Sequence, residues 1–201
     1  MYSPSYFNES RAHVLRGLIE QHPLGALVTH SAAAGLDATH IPFELGAPTA
    51  DAPFGVLRAH VARANPVWRA GGDCMVVFQG ASAYVSPALY EEKPISEKVV
   101  PTWNYAVVHA HGPLRAVEDP AWLLALLDRL TQRHEASRPA PWSVHDAPPE
   151  FIDRLLGAIV GIEIPVVRMQ GTWKMSQNRS ANDQLAIAAD TGVARAVSIP
   201  S

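Results

Sequence analysis

The chain has 201 residues, 48% of them hydrophobic and only 17% charged, with a net charge of −3 and a single cysteine. That length holds one large domain with a well-filled core, and the charge balance excludes an overall basic field for nucleic acid or an anionic membrane. One cysteine excludes an intrachain disulfide and any multi-cysteine zinc or iron–sulfur centre. Cys74, set before Met75-Val76-Val77-Phe78, reads as a buried, inert thiol.

The segment Met1–Glu9 has neither a basic start nor an apolar run, so no signal peptide is expected. No stretch approaches the roughly 20 apolar residues of a membrane span, and a cytoplasmic protein is the expectation. The first regular element is predicted as a helix from Ser10 to Gln21. Val14, Leu15, Leu18 and Ile19 share a face, Asn8 or Ser10 offers a cap and Pro23 a stop. Strand-like runs follow at Gly25–His30, Leu36–Leu45 and Phe54–Val61. Met75–Gln79 and Ala83–Ser86 are separated by Gly80, which predicts a bulge or tight bend.

Val99-Val100-Pro101-Thr102-Trp103-Asn104-Tyr105-Ala106-Val107-Val108-His109-Ala110-His111-Gly112 alternates through its second half, as a pleated strand does. Its first half does not read as an ordinary strand edge, because Pro101 cannot donate to a ladder. An indole flanked by a hydroxyl and an amide suits a planar, polar-rimmed ligand. The plainer alternative has Trp103 filling core and Asn104 making a turn.

Asp119-Pro120 reads as a cap with proline at the first helical position, opening a helix to about His134. Trp122, Leu123, Leu126, Leu127 and Leu130 form its apolar stripe. After a proline-rich loop, a second helix is predicted with Phe151, Ile152, Leu155, Leu156 and Ile159 on one face. Ile162–Met169 reads as one further strand, and the alanine-rich tail from Asn182 as a weak helix. About six strands in local order argue for a closed or nearly closed barrel in a mainly β chain with flanking helices. No linker divides it, so a single domain over 1–201, with a helical insertion at about 119–160, is expected. Dinucleotide and P-loop glycine patterns are absent.

Thr, Ser, His, Arg, Lys and Asn cluster in segments that suit a phosphate. These are Ala38-Thr39-His40, His60 to Pro66, Tyr84 to Pro87, and Lys174 to Arg179. Each has a structural alternative: His60 as a core histidine, Arg63 as a surface charge, Tyr84 as core. His109 and His111 fall on one strand face and are the only hook for a metal or haem; no third ligand accompanies them, so no metal is expected. Ser86 lacks the Gly-x-Ser-x-Gly elbow of a hydrolase.

Met1-Tyr2-x-Pro4-x-x-Phe7, Thr39-His40-x-Pro42, His60-x-Ala62-Arg63-x-Asn65-Pro66, Phe78-Gln79-Gly80 and Tyr84-x-Ser86-Pro87 carry a resemblance. So do Val100-Pro101-Thr102-Trp103-Asn104-Tyr105, Gly161-Ile162-Glu163-Ile164 and Lys174-Met175-Ser176-Gln177-Asn178-Arg179. Together they resemble the PaiB-type family of FMN-binding proteins, called negative transcriptional regulators. The resemblance implies the FMN-binding split β-barrel shared with pyridoxine-phosphate oxidases, and a homodimer with FMN at the interface. It puts Ala38, Thr39 and His40 along the isoalloxazine ring. His60, Arg63 and Asn65 come near the ribityl phosphate, with Ser86 close by. Thr102, Trp103 and Asn104, with Lys174 and Gln177, approach from the partner or close the site. The C-terminal arginine motif of the pyridoxine-phosphate oxidases is not reproduced, so pyridoxine oxidation is not implied. Three functions follow as alternatives: a flavin-dependent oxidoreductase or reductase, a DNA-binding repressor, and a haem-handling split barrel. The net negative charge and the long loop between the predicted helices at 119–160 speak against a helix-turn-helix.

Overall fold

The computed structural model describes residues 1–32 and 35–193. In chain order the elements are β1 (Asn8–Glu9), α1 (Ala12–Gln21), β2 (Leu24–Ser31), β3 (Gly35–Pro42), β4 (Glu44–Leu45), β5 (Val56–Ala62) and β6 (Asp73–Val85). There follow α2 (Lys93–Ser96), β7 (Thr102–Pro113), β8 (Arg115–Val117), α3 (Pro120–Glu135), α4 (Pro149–Gly157), β9 (Ile159–Pro165), β10 (Arg168–Lys174) and α5 (Ala181–Thr191). The chain is mainly β with helices, and richer in strands than the six the sequence suggests. Among the described residues no helix is long and apolar enough to cross a membrane.

The chain forms two compact units. One comprises Met1–His22, Val77–His109 and the described residues from Met169, and here β1, β10, β7 and β6 are neighbours in that order. α1 buries Val14, Leu15, Leu18 and Ile19, the face the 3.6-residue period predicts. Its start differs from expectation. Arg11 holds the cap position without a side-chain cap, and the Glu9 carboxylate accepts from the Arg11 backbone N–H at 2.8 Å. Asn8 and Glu9 are instead used as a strand against Thr172 and Gly171.

Gly80 does not break β6, which runs through thirteen residues without interruption. A Cβ there would lie 3.1 Å from Leu18 Cδ1 and 3.5 Å from the Ala106 Cβ, so the glycine marks where α1 presses on the strand. Close approach, not a bulge, is what the missing side chain serves.

The other unit comprises Pro23–Val76 and Ala110–Arg168. It holds the β2–β3 hairpin and a sheet ordered β4-β5-β9-β8. The predicted strand Leu36–Leu45 divides at Phe43, whose N–H turns to the Pro23 carbonyl at 2.9 Å. α3 starts as predicted, with Asp119 accepting from Ala121 N–H at 2.9 Å, and buries Leu123 and Leu126. In α4 only Leu156 is buried, while Phe151 and Leu155 are exposed and Ile159 already belongs to β9. The predicted strand Ile162–Met169 is two strands, because Pro165 ends β9 and β10 begins at Arg168. Arg58 and Glu163 face each other across β5 and β9 at 3.2 Å, and Arg129 of α3 grips Glu44 at 2.6 and 2.9 Å.

Cys74 is buried, its Sγ 3.2 Å from the Gly112 carbonyl oxygen. Burial, with the neighbouring Asp73 charge, pushes its thiol up to about 12, so the inert reading of the sequence stands.

Candidate functional site

The candidate residues divide evenly between the units: Ala38, Thr39, His40, His60, Arg63 and Asn65 in one, and Ser86, Thr102, Trp103, Asn104, Lys174 and Gln177 in the other.

In the first set, Ala38, Thr39 and His40 lie on β3, opposite Val28, Leu27 and Ala26 of β2. β3 ends its sheet, so its outer backbone groups face no strand among the described residues. His60 is the cross-strand partner of Gly161, and the Trp122 ring packs over that glycine, where a Cβ would come within 2.4 Å of it. Paired residues share a face, so the His60 ring points to the side that α3 covers. Its Nδ1 is buried without a hydrogen bond, and burial lowers its pKa below 6.5. The unfolded chain then takes up the proton more readily than the fold does. The stability contributed is therefore whole above pH 6.5 and declines as pH falls below it. Melting temperatures of His60→Gln should fall less between pH 7.5 and pH 5.5 than those of the wild type; equal slopes would refute this.

Arg63 is heavily engaged. Its backbone N–H donates to Ala158, and its guanidinium donates to the Gly157 carbonyl at 3.0 Å, the Ile159 carbonyl at 3.2 Å and the Glu118 carboxylate. It thus staples the end of β5 to the α4–β9 junction. Asn65 caps a 3₁₀ turn, Pro66–Arg69, through Oδ1 to Val67 N–H, and Trp68 Nε1 donates to the Arg63 carbonyl. The proline after Asn65 foretells this turn.

The second set sits where β7 begins and β10 ends. Thr102, Trp103 and Asn104 lie inside β7, so Pro101 marks its first boundary and not a loop. Alternation sends Thr102 and Asn104 to one side and Trp103 to the other. Asn104 is 2% exposed, and its Oδ1 accepts from Ser176 Oγ at 3.0 Å. Trp103 is 56% exposed and is not core; it meets half-exposed Tyr84 edge-on, ring centroids 6.2 Å apart. Lys174 Nζ donates to Thr102 Oγ1. Gln177 closes the turn beyond β10, accepting from Met175 N–H at 2.7 Å and donating to the Trp173 carbonyl. Ser86 caps a 3₁₀ turn through Ala88 N–H at 3.2 Å.

Two site features escape the sequence reading. Ser176 is singled out only within its motif, yet it carries φ 62°, a left-handed conformation that a serine holds when its side chain is tied down. Tyr84, given a core alternative, forms an exposed aromatic pair.

FMN has an anionic phosphate, a hydroxylated chain and a large flat ring. The β7–β10 end offers groups of the kinds that FMN takes: the Lys174 ammonium and the Thr102 hydroxyl on one face of β7, and the exposed Trp103 ring on the other. The residues fit the group. Together with the strand architecture they define a flavin-binding split barrel.

Comparison with known proteins agrees. Residues 1–168 match the family described as "Putative FMN-binding domain". The protease synthase and sporulation protein PAI 2 of Bacillus subtilis is 33% identical over 188 residues, covering 92% of this chain and 86% of that protein. An uncharacterized protein of Emericella nidulans is 35% identical, over 92% of this chain and 87% of its own. Among solved structures, the flavocytochrome Anf3 of Azotobacter vinelandii superposes with a TM-score of 0.60 at 11% identity, over 90% of this chain and 75% of its own. The FAD and heme binding protein of Mycobacterium smegmatis gives 0.59 at 16% identity, over 88% and 77%. The chain belongs to the PaiB-type family of FMN-binding split-barrel proteins, and FMN is its cofactor.

Proposed function

We propose that this protein is a homodimeric FMN oxidoreductase whose phosphate-binding cation is Lys174 and whose ring platform is Trp103. The observation that carries the reading is the Lys174 ammonium bonded to Thr102, the β7 residue next to an exposed Trp103 whose ring stands on the other face of the strand. The bound flavin supplies the redox chemistry; the chain supplies the binding site and its electrostatics. Arg63 is the weaker phosphate cation, because a half-exposed carboxylate, Glu118, already stands against it and would repel a second anion.

The dimer reading draws on β7. Trp103, Tyr105, Val107 and His109 stand on its outward face, half-buried or exposed, while Asn104, Ala106 and Val108 are buried behind them. Such a stripe on a central strand suits a second copy of the chain.

Direct repression of transcription is the less favoured role. Arg129 of α3 is held by Glu44, and the chain as a whole is negative. The family's regulatory label is then met through flavin chemistry or a protein partner.

Absorption of the purified protein tests the proposal. A flavin band near about 450 nm, and light scattering at twice the chain mass, are expected. A haem band near about 400 nm without flavin, or a monomer, would sink it. Trp103→Ala should then weaken FMN about tenfold, since stacking on an aromatic ring contributes about 1–3 kcal/mol. Because Trp103 is exposed, the melting temperature without flavin should move by no more than about 2 °C. A large drop in the melt with unchanged affinity would return Trp103 to a purely structural part.

A further inference from the structure

The turn that follows Lys174 is fastened at two points. At the near point Ser176 bonds the buried Asn104, and Arg179 N–H closes the turn on the Ser176 carbonyl at 2.9 Å. At the far point, Arg179 to Asp183 interlock with Tyr90 and Glu91. Glu91 N–H donates to the Asp183 carboxylate at 2.9 Å, and Asp183 is only 6% exposed. The Glu91 carboxylate in turn accepts from Asn182 Nδ2 at 2.7 Å and Ser180 Oγ at 3.3 Å. Arg179 lies 4.3 Å over the Tyr90 ring. Behind this contact Ile187 of α5 packs with Val85 and Tyr90 in a small apolar cluster.

Chain order gives the contact its consequence. The connection bearing Tyr90 and Glu91 leads through α2 to Thr102-Trp103-Asn104, and Ser180–Asp183 follows Lys174–Gln177 after two residues. The interlock therefore joins the two segments a second time, beyond the bonds they make directly. The family match ends at residue 168, before α5.

We infer that α5 is a clasp that sets flavin affinity, with Asp183 and Glu91 as positioning residues for Lys174 and Gln177. This rests on the flavin reading above. Ser176 sits in a backbone region that is populated only when neighbouring contacts hold it. With the clasp open, the turn samples other conformations and only the closed fraction binds, so apparent affinity falls by that fraction. Asp183 accepts in a buried place, so its loss leaves the Glu91 N–H without its acceptor.

The test is FMN titration of full-length wild type, Asp183→Ala and Asp183→Asn, well below each protein's melting temperature. Asp183→Ala should bind FMN about tenfold more weakly. Asp183→Asn keeps an oxygen for the Glu91 N–H and should stay within about twofold of wild type. Once saturated, all three should show the same visible circular dichroism of the flavin, because the closed site is the same. Should Asp183→Ala not fold, the exposed Asn182→Ala carries the test, with a loss of about two- to threefold. Wild type that binds FMN together with variants of unchanged affinity would overturn the clasp and leave the site standing. Wild type that binds no flavin would overturn the site, and the clasp with it.

Discussion

Replacing Lys174 by alanine should weaken FMN by roughly ten- to a hundredfold and leave riboflavin almost untouched. The two ligands share ring and ribityl chain and differ in the phosphate, so their ratio isolates the charge. Hydrogen bonds to charged groups contribute about 1.5–3 kcal/mol, which is that range of affinity. The Lys174 ammonium donates to the Thr102 hydroxyl, a neutral partner that brings no negative charge against a phosphate. Arg63→Ala is the informative companion, since the family resemblance implies a phosphate near His60, Arg63 and Asn65. If Arg63→Ala discriminates the flavins and Lys174→Ala does not, the phosphate lies at the β5 end and the proposal is wrong. If Lys174→Ala weakens both ligands equally, the residue supports ring or fold. Fluorescence quenching of each flavin against both variants separates these results.

Gly112→Ala should destabilise the protein sharply. A Cβ at Gly112 would lie 2.0 Å from the Pro165 carbonyl oxygen and 3.0 Å from the Ile164 side chain. The nearest atom is backbone at the end of β9, so no rotamer change relieves the clash. Overpacking against a fixed backbone costs about 3 kcal/mol or more, and a melting temperature lower by roughly 6–12 °C is expected. Gly157→Ala is the control. Nothing stands within 4 Å of its Cβ position, at the end of α4, and alanine favours a helix by up to about 1 kcal/mol over glycine. It should raise the melt slightly. A Gly112→Ala melt equal to wild type would mean that β7 and β9 approach less closely than described.

Local sequence signals determine much of this protein. Apolar period placed the α1 face of Val14, Leu15, Leu18 and Ile19, and Asp119-Pro120 placed the start of α3, because both signals act over one or two turns. Burial of Cys74 was legible from the apolar run beside it. The motifs resemble those of the family and so imply its flavin, and they keep twelve candidate residues in view across widely separated segments.

What stayed hidden depends on contacts distant in sequence. Gly80 looked like a break because a lone glycine in a strand has two uses, and only Leu18 of α1 tells which applies. Arg63 and Lys174 look alike as phosphate cations until the structure sets Glu118 against one and a hydroxyl against the other. Trp103 and Asn104 are adjacent in sequence, yet the pleat sends the indole outward and the amide into the core beside Ser176. Residue type and period determine which side chains can meet a flavin. Which of them are already spent on another group is settled by folding, for Arg63 and Lys174 through partners 55 to 96 residues away in the chain.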